Sequence, residues 1–524
     1  MSVYRSALVA VLLAGLGTTG CMTGVGEYFR NGLKVGPNYQ QPQAAVASRW
    51  IDDRDPRVST APPLEPDWWK AFNDPVLDRL TASVYQQNLS LRAAGFRVLE
   101  ARYRRAITVG ELFPQTQQAV GGYTRQQLSL ETQQFPGIER IYGTWAFGGQ
   151  LAWELDFWGR FRRAIEAADA ELDASVEEYD NVLVILLAET AGAYVEARTL
   201  EQRIRYAKSN VKFQRGSLDI AKLKQAGGAA SQLDVAQAVT NVAQTEAIIP
   251  PLERRLREAH NQLCILLGIP PQDLTEMLGG DAPIPRVAPQ VALGVPAELL
   301  RRRPDVRRAE RQVAAQSARI GVVESDLYPA FSINGAISVQ ANQFKDLWRS
   351  SAAAGNVSPQ FNWNILNYGR IRNAVNLEEA RFMQFVTEYQ NTVLDANREA
   401  ENAVVAFLRA QEQARVLREG VAAAVESRDL VNALYRGGRA DFGRVFFAEY
   451  FLVQQQDQLA QAEGDIALGL VAIYRSLGGG WQIRLNGPPL MEGQVAPMPA
   501  EPVPAPAPVQ PPDKQSLKRL PTVS

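Results

Sequence analysis

The sequence predicts a mainly α-helical fold combined with a membrane β-barrel. Very long α-helical hairpins are expected to form a helical barrel, and four β-strands per chain to contribute to a shared β-barrel. Three observations predict this fold: an internal duplication, four long stretches of helical periodicity, and two pairs of segments that alternate with period two.

The duplication is visible as landmarks that recur in the same order. Residues 153–160, WELDFWGR, return 210 residues later as WNILNYGR at 363–370. Gly227-Gly228 returns as Gly437-Gly438 at the same shift, and LFP at 112–114 corresponds to LYP at 327–329. Solenoid repeats are ~20–50 residues long. The chain is therefore expected to hold two large structural repeats, 76–285 and 286–486.

Each repeat contains two long helical stretches. Residues 161–225 and 371–436 are rich in the helix formers Ala, Glu, Gln, Arg and Leu, and apolar residues recur every three or four positions. At ~1.5 Å per residue, each stretch would be roughly 100 Å long. The paired glycines interrupt both, and periodicity resumes at 232–267 and 442–477. Each repeat is thus expected to form an antiparallel helical hairpin with its tip at the Gly-Gly pair.

Two further segments, about 114–153 and 329–363, are predicted to be β-hairpins. In the second, Phe331, Ile333 and Ile337 alternate with small or polar residues, and Trp145 and Phe147 alternate similarly in the first. Period-two alternation is the strand signal, and apolar against polar positions suit a lipid-facing barrel wall with a wet interior. The alternative is a half-buried hairpin on a soluble core, but no other segment is free to cover those apolar faces.

Four strands are too few for a barrel. Small membrane barrels need about eight, and an unpaired backbone group in lipid costs several kcal/mol. If these are membrane strands, the barrel must be shared: two copies supply eight strands and three supply twelve. The long helices below the strands would continue the same bore, and the oligomer would form a conduit.

The N-terminus predicts export. Residues 1–20 read as a signal peptide with a positive start and an apolar stretch. Small residues then precede Cys21, as in the cleavage box of a bacterial lipoprotein, so Cys21 is the predicted lipid anchor. The alternative is an ordinary secretory signal with an incidental cysteine. An N-terminal extended segment at 21–75 follows, and a Pro/Ala-rich tail at 487–524 is expected to be disordered.

Composition argues against several functions. The net charge of −1 lacks the basic excess of a nucleic-acid-binding protein. His260 is the only histidine, and Cys264, in an apolar helical context, is expected to be a buried small hydrophobe. One histidine and one remaining thiol cannot build a zinc site, and neither a catalytic triad nor a phosphate-binding loop is recognisable. No cofactor, metal or enzymatic activity is expected.

Four motifs carry a family resemblance over nearly the whole mature chain. They are VGPNYQQP at 35–42, WWKAFNDP at 68–75, LLRRRPDVR at 299–307 and LGGGW at 477–481. Together they resemble the TolC-like outer-membrane efflux proteins, specifically the lipoprotein branch that serves resistance-nodulation-division (RND) pumps. The resemblance implies a homotrimer in the outer membrane of a Gram-negative bacterium, lipid-anchored, with a 12-stranded barrel and a long periplasmic helical tunnel. It also implies two partners, a periplasmic adaptor and an inner-membrane RND-type pump.

The resemblance also implies roles for particular residues. The helical tips of the family meet the adaptor, and the matching positions are Gly227, Gly228, Ala229, Ser231, Gly437, Gly438, Arg439 and Asp441. The alternative is that the glycines serve only as turns. The run Arg301-Arg302-Arg303 is expected to be a charged turn that opens a helix, with Asp305 in its first turn.

The family's gate lies just past the second tip, often with an aspartate, where this chain has Phe447. The expected gate residues are therefore aromatic: Phe446, Phe447 and Tyr450. The alternative is that these rings pack the hairpin core. Two other functional classes stay open: a structural coiled-coil lipoprotein without transport activity, and an outer-membrane hydrolase.

Overall fold

The structure is a computed structural model that describes residues 23–61, 66–129, 131, 139–280, 282–298 and 302–486. Contacts divide the chain into one unit through Ile483 and a second from Arg484. In chain order the elements are α1 (Val25–Arg30), β1 (Val58–Ser59), α2 (Pro75–Gln87), α3 (Leu89–Gly110), β2 (Thr116–Gln127), β3 (Ile141–Leu155), α4 (Arg160–Ala226), α5 (Gln232–Leu266), β4 (Val291–Ala292), α6 (Pro304–Glu324), β5 (Ala330–Ala341), β6 (Ala353–Asn362), α7 (Arg370–Arg436), α8 (Phe442–Ser476) and α9 (Ile483–Asn486).

Two helical hairpins dominate the structure. α4 and α7 have 67 residues each, and the returning helices α5 and α8 have 35 each. The four helical stretches predicted from the sequence are confirmed to within one residue at each end. α4 packs against α5, α8, α6 and α3, while α7 packs against α8 and α6. The core therefore follows the length of the long helices instead of forming a compact centre.

Each returning helix is about half as long as its partner. The end of each returning helix is hydrogen-bonded to the start of another helix. Where α5 ends, the Asn88 side chain donates to the carbonyl of Leu266 at 2.8 Å and caps α3 by accepting from the Leu91 amide at 2.9 Å. Where α8 ends, the Arg303 guanidinium donates to the carbonyl of Ser476 at 2.9 Å, directly before α6. α3 and α6 thus extend α5 and α8 at two polar joints.

The second joint explains two of the sequence motifs. Arg303 is buried and also forms ion pairs with Asp305 at 2.6 Å and Glu399 at 2.8 Å. The Trp481 indole donates to the carbonyl of Arg302 at 3.1 Å, and the Arg307 guanidinium lies 4.2 Å from the centre of the Trp481 ring. Asp305 lies in the first turn of α6, as predicted. The arginine run is more than a charged turn, because Arg303 fastens three helices.

One four-stranded sheet contains the strands β2, β3, β5 and β6, which are neighbours in that order. All three pairings are antiparallel, and they bring Phe147 opposite Val339, Trp153 opposite Ile333, and Phe331 opposite Phe361. Because these pairs lie in register, the odd-numbered residues of every strand share one face and the even-numbered residues share the other. The sheet therefore has an apolar face and a polar face.

The N-terminal segment is fastened to the junction between the sheet and the helices. The Val35 amide donates to the carbonyl of Trp158 at 3.0 Å. Arg163, which is buried, donates to the carbonyls of Val35 at 2.9 Å and Gly36 at 2.7 Å. Farther along, β1 pairs with β4 in parallel. The segment thus lies along the helices and contributes to their packing.

Candidate functional site: sheet edges and helical tips

The outer strands of the sheet have open edges. Among the described residues, β2 and β6 each pair on one side only, and nearly every residue of both strands is exposed. On the apolar face, Ile337, Val357 and Phe361 are exposed. The polar face carries glutamine, asparagine and serine, with Gln150 donating to Gln118 at 2.7 Å. Among its described residues, a single chain thus presents an exposed apolar face and two strand edges without a pairing partner.

The two helical tips have the same construction. After α4, the Gly228 amide donates to the Gln225 carbonyl at 3.0 Å and the Ala229 amide to the Lys224 carbonyl at 2.7 Å; Gly438 and Arg439 repeat this pattern after α7. Gly228 has φ of +74° and Gly438 of +73°, the left-handed conformation that closes such a turn and that glycine adopts at little cost.

The residue after each turn starts the returning helix. Ser231 and Asp234 form a capping box on α5, and Asp441 caps α8 by accepting from the Arg444 amide at 3.1 Å. All eight predicted tip residues are exposed. They are Gly227, Gly228, Ala229, Ser231, Gly437, Gly438, Arg439 and Asp441.

Just behind the tips, the two hairpins share a small apolar core. It contains Ala221, Ala238, Tyr435, Phe442 and Val445, so all four long helices contribute. Lys224 joins the hairpins as well, because its ammonium donates to the carbonyl of Tyr435 and lies 4.4 Å from the centre of that ring. The tips are therefore held side by side by apolar packing and by one cation.

The aromatic residues at the start of α8 separate into two environments. Phe442 is fully buried and meets Tyr435 edge-on at 5.4 Å. Phe447 is 59% exposed and Tyr450 is 40% exposed. Phe446 lies between these extremes, stacked on Tyr450 at 6.4 Å and edge-on to Phe447 at 5.6 Å. Packing in the hairpin core therefore accounts for Phe442, while the predicted gate residues extend from that core to the surface.

A buried carboxylate next to this patch joins all four long helices. Glu449 on α8 accepts from Ser217 on α4 at 2.6 Å, Asn241 on α5 at 2.8 Å and Asn432 on α7 at 3.4 Å. Burial raises the pKa of Glu449, opposed by these three hydrogen bonds and by the charge of Arg428. This network was not predicted from the sequence.

Farther from the tips, the hairpins are joined by more polar contacts. Asn210 on α4 donates to Gln456 on α8 at 2.7 Å, and Arg203 pairs with Asp457 at 2.7 Å. Each contact joins α4 of the first hairpin to α8 of the second. Beyond the apolar core at the tips, the two hairpins are thus joined by hydrogen bonds and ion pairs.

The remaining predicted residues have structural positions or lie outside the described ranges. Cys264 is buried in α5, as expected, and burial lowers the pKa of His260. The ranges that the structure describes hold no cluster of three or more His, Cys, Asp or Glu residues suited to a metal ion. Within them, no helix combines the length and apolar content that a membrane crossing requires. Cys21 and the tail at 487–524 lie outside the described residues.

Comparisons with known proteins agree with this architecture. One similar protein, the pyoverdine export outer membrane protein OpmQ of Pseudomonas putida, is 31% identical over 86% of this chain and 93% of OpmQ. Nodulation protein T of Rhizobium leguminosarum bv. trifolii is 28% identical over 86% of this chain and 95% of that protein.

Solved structures give the same result. The outer-membrane channel OprN superposes with a TM-score of 0.80 at 32% identity, covering 85% of this chain and 99% of OprN. CusC, at 22% identity and a TM-score of 0.73, supports the fold alone; it covers 85% of this chain and 99% of CusC. The Outer membrane efflux protein family (OEP) matches residues 80–269 and 295–479. This chain belongs to the outer membrane efflux protein family.

Proposed function

We propose that three copies of this chain form the outer-membrane channel of a tripartite efflux system. The channel passively conducts small molecules that an inner-membrane RND-type pump and a periplasmic adaptor deliver, and the pump supplies the energy. The observation that carries the proposal is the incomplete four-stranded sheet, with its apolar face and its two open edges. In the bilayer such edges need partners.

The order of the strands favours closure by identical copies. Neighbouring strands alternate in direction from β2 through β3 and β5 to β6. β6 therefore runs opposite to β2, and the β2 strand of a second copy continues the antiparallel pattern. Three copies supply twelve strands, with the apolar faces outward and the polar faces around the bore.

The alternative function is a structural coiled-coil lipoprotein without transport activity. It uses the same helices but gives no reason for a sheet with one apolar and one polar face. Membership of the efflux family also favours the channel. The names of relatives mention pyoverdine and toluene, so we propose a bore that accepts chemically different cargo.

We further propose that the adaptor docks on the two exposed tips. Both tips close with the same hydrogen-bonded backbone turn, and their exposed side chains include Arg439 and Asp441. The acyl chain predicted at Cys21 then serves as an additional anchor to outer-membrane lipid. In this arrangement cargo enters at the tips and leaves through the barrel.

The variant Arg439→Glu tests this function at the tip. Reversal of the charge on an exposed contact residue should weaken adaptor binding about tenfold, or ~1.4 kcal/mol, and reduce export in cells. Single-channel conductance of the purified protein should not change, because α7 and α8 are intact. The control is Arg409→Glu, an exposed arginine in the middle of α7 that pairs with Glu412 at 2.9 Å. Unchanged adaptor binding in Arg439→Glu would remove this tip from the docking surface.

We propose that Phe446, Phe447 and Tyr450 form an aromatic constriction of the bore. Phe447 and Tyr450 are exposed in the single chain, and the threefold axis would bring three copies of the patch together. Phe446 supports the exposed rings from the hairpin core. Such a constriction is apolar, whereas an aspartate ring would repel anions.

Phe447→Ala should raise single-channel conductance in planar bilayers, because the variant removes three rings from the narrowest part of the bore. Tyr103→Ala is the control: it removes an exposed ring from α3, far along the chain from the gate. Equal conductance of Phe447→Ala and the wild-type protein would exclude Phe447 from the constriction.

We propose that the protonation state of Glu449 controls the stability of the contact between the two hairpins beside this constriction. Its carboxyl group holds a proton more tightly in the folded chain than in the unfolded chain, because burial raises its pKa. The folded state therefore loses stability as the pH rises from the ordinary carboxyl pKa, about 4.3, through the raised value. Ionisation weakens the folded arrangement of the four helices.

Glu449→Gln should remove this pH dependence, since glutamine has the shape of the neutral acid. The variant should melt on the order of 1–3 °C above the wild-type protein near pH 8, and the difference should vanish near pH 4. Differential scanning calorimetry in detergent measures both. Glu412→Gln, which changes an exposed glutamate paired with Arg409, should show no such pH trend. A lower melting temperature for Glu449→Gln at pH 8 would contradict the assignment.

A further inference from the structure

A row of aromatic rings leads from the sheet down to the helix α1. On the apolar face, the ring centres of Phe361 and Phe331 lie 6.3 Å apart, and those of Phe331 and Phe157 lie 5.4 Å apart. The row continues from Phe157 to Trp158 at 4.8 Å, and both rings contact Tyr28 of α1, at 6.4 and 5.4 Å. In membrane β-barrels, aromatic rings are enriched where the apolar band of the barrel meets the membrane–water interface. The apolar face of the sheet thus ends at α1.

α1 is held at this level by hydrogen bonds. The Tyr28 hydroxyl donates to the carbonyl of Phe157 at 2.8 Å. Just after the helix, the Arg162 guanidinium donates to the carbonyls of Gly32 at 2.8 Å and Leu33 at 2.7 Å. α1 is therefore fixed against the start of α4, directly below the end of β3.

One exposed face of α1 is apolar. Val25 and Phe29 lie four residues apart on one face and are 72% and 67% exposed. Tyr28 points to the ring row, and Glu27 and Arg30 are exposed on other sides of the helix. Single exposed apolar residues are ordinary, but this pair lies on the helix at which the aromatic row from Phe361 to Phe157 ends.

The chain before α1 indicates which partner covers this face. The Thr23 amide and hydroxyl both donate to Glu324 at 2.7 Å, which fixes Thr23 at the end of α6. Cys21 lies two positions before Thr23 in the sequence, within a reach of about 7 Å. Acyl chains on Cys21 would therefore enter the bilayer close to α1.

We propose that α1 is a membrane-contact helix, with Val25 and Phe29 inserted at the boundary between lipid headgroups and acyl chains on the periplasmic side of the outer membrane. The inference rests on the proposed channel function, because the apolar face of the sheet sets the level of the bilayer. α1 fastens the N-terminal segment to the lipid surface, and the hydrogen bonds from Arg162 and Tyr28 transmit that position to α4.

The test measures the depth of α1 in the bilayer. A nitrobenzoxadiazole label is placed on Phe29→Cys in the full-length protein in vesicles of phosphatidylethanolamine and phosphatidylglycerol. Quenching is measured with a phosphatidylcholine that carries a doxyl group at carbon 5, and with aqueous iodide. Three matched positions calibrate the result: Glu27→Cys on the opposite side of α1, Ala229→Cys at a tip, and Ile337→Cys on the apolar face of the sheet. Cys264 is buried, and the unsubstituted chain gives the background of labelling.

The proposal expects severalfold stronger lipid quenching at position 29 than at position 27, with strong lipid quenching at 337 and iodide quenching at 229. Lipid quenching at 337 together with iodide quenching at 29 overturns the role of α1 and leaves the channel intact. Protection of position 29 from both quenchers also overturns it, since a protein contact would then cover Phe29. Absence of lipid quenching at 337 overturns the channel and the inference with it.

Discussion

The proposed channel depends on the backbone N–H and C=O groups along the outer edges of β2 and β6, which the described residues of one chain leave unpaired. Water satisfies such groups in solution, but the hydrocarbon core of a bilayer offers no partner. In the proposed trimer, β2 and β6 therefore pair with the edge strands of the neighbouring chains. Along the chain, α4 follows β3 and α7 follows β6, and the two helical hairpins meet side by side at the tips.

Much of this architecture could be predicted because its signals are local and repeated. The long helices were predicted to within a residue, since glycine pairs end them at both tips. The polar contacts between the long helices could not be predicted in the same way. Glu449 follows Phe442 and Val445 at helical spacing, on a stripe that the packing buries. A charged residue in such a stripe was the available signal, but its partners lie on three other helices.

The aromatic residues of α8 show a second limit of sequence patterns. Phe442, Phe446 and Tyr450 lie four residues apart and would share one helical face. The structure divides them, because the tip core surrounds Phe442 and leaves Tyr450 at the surface. Likewise, the arginine run at 301–303 predicts a charged turn that opens a helix, but it does not predict that Arg303 lies buried between α6, α7 and the end of α8. Spacing gives the face of a helix but does not give its neighbours.

Cysteine cross-linking between the edge strands tests the shared barrel most directly. Paired variants scan β2 against β6, beginning with Val120→Cys and Ser358→Cys, in membranes under mild oxidation. We expect disulfides between chains at one register and a ladder on denaturing gels that ends at three chains. A ladder that ends at two chains would contradict the trimer. Absence of any cross-link between chains across the whole scan would contradict the shared barrel itself.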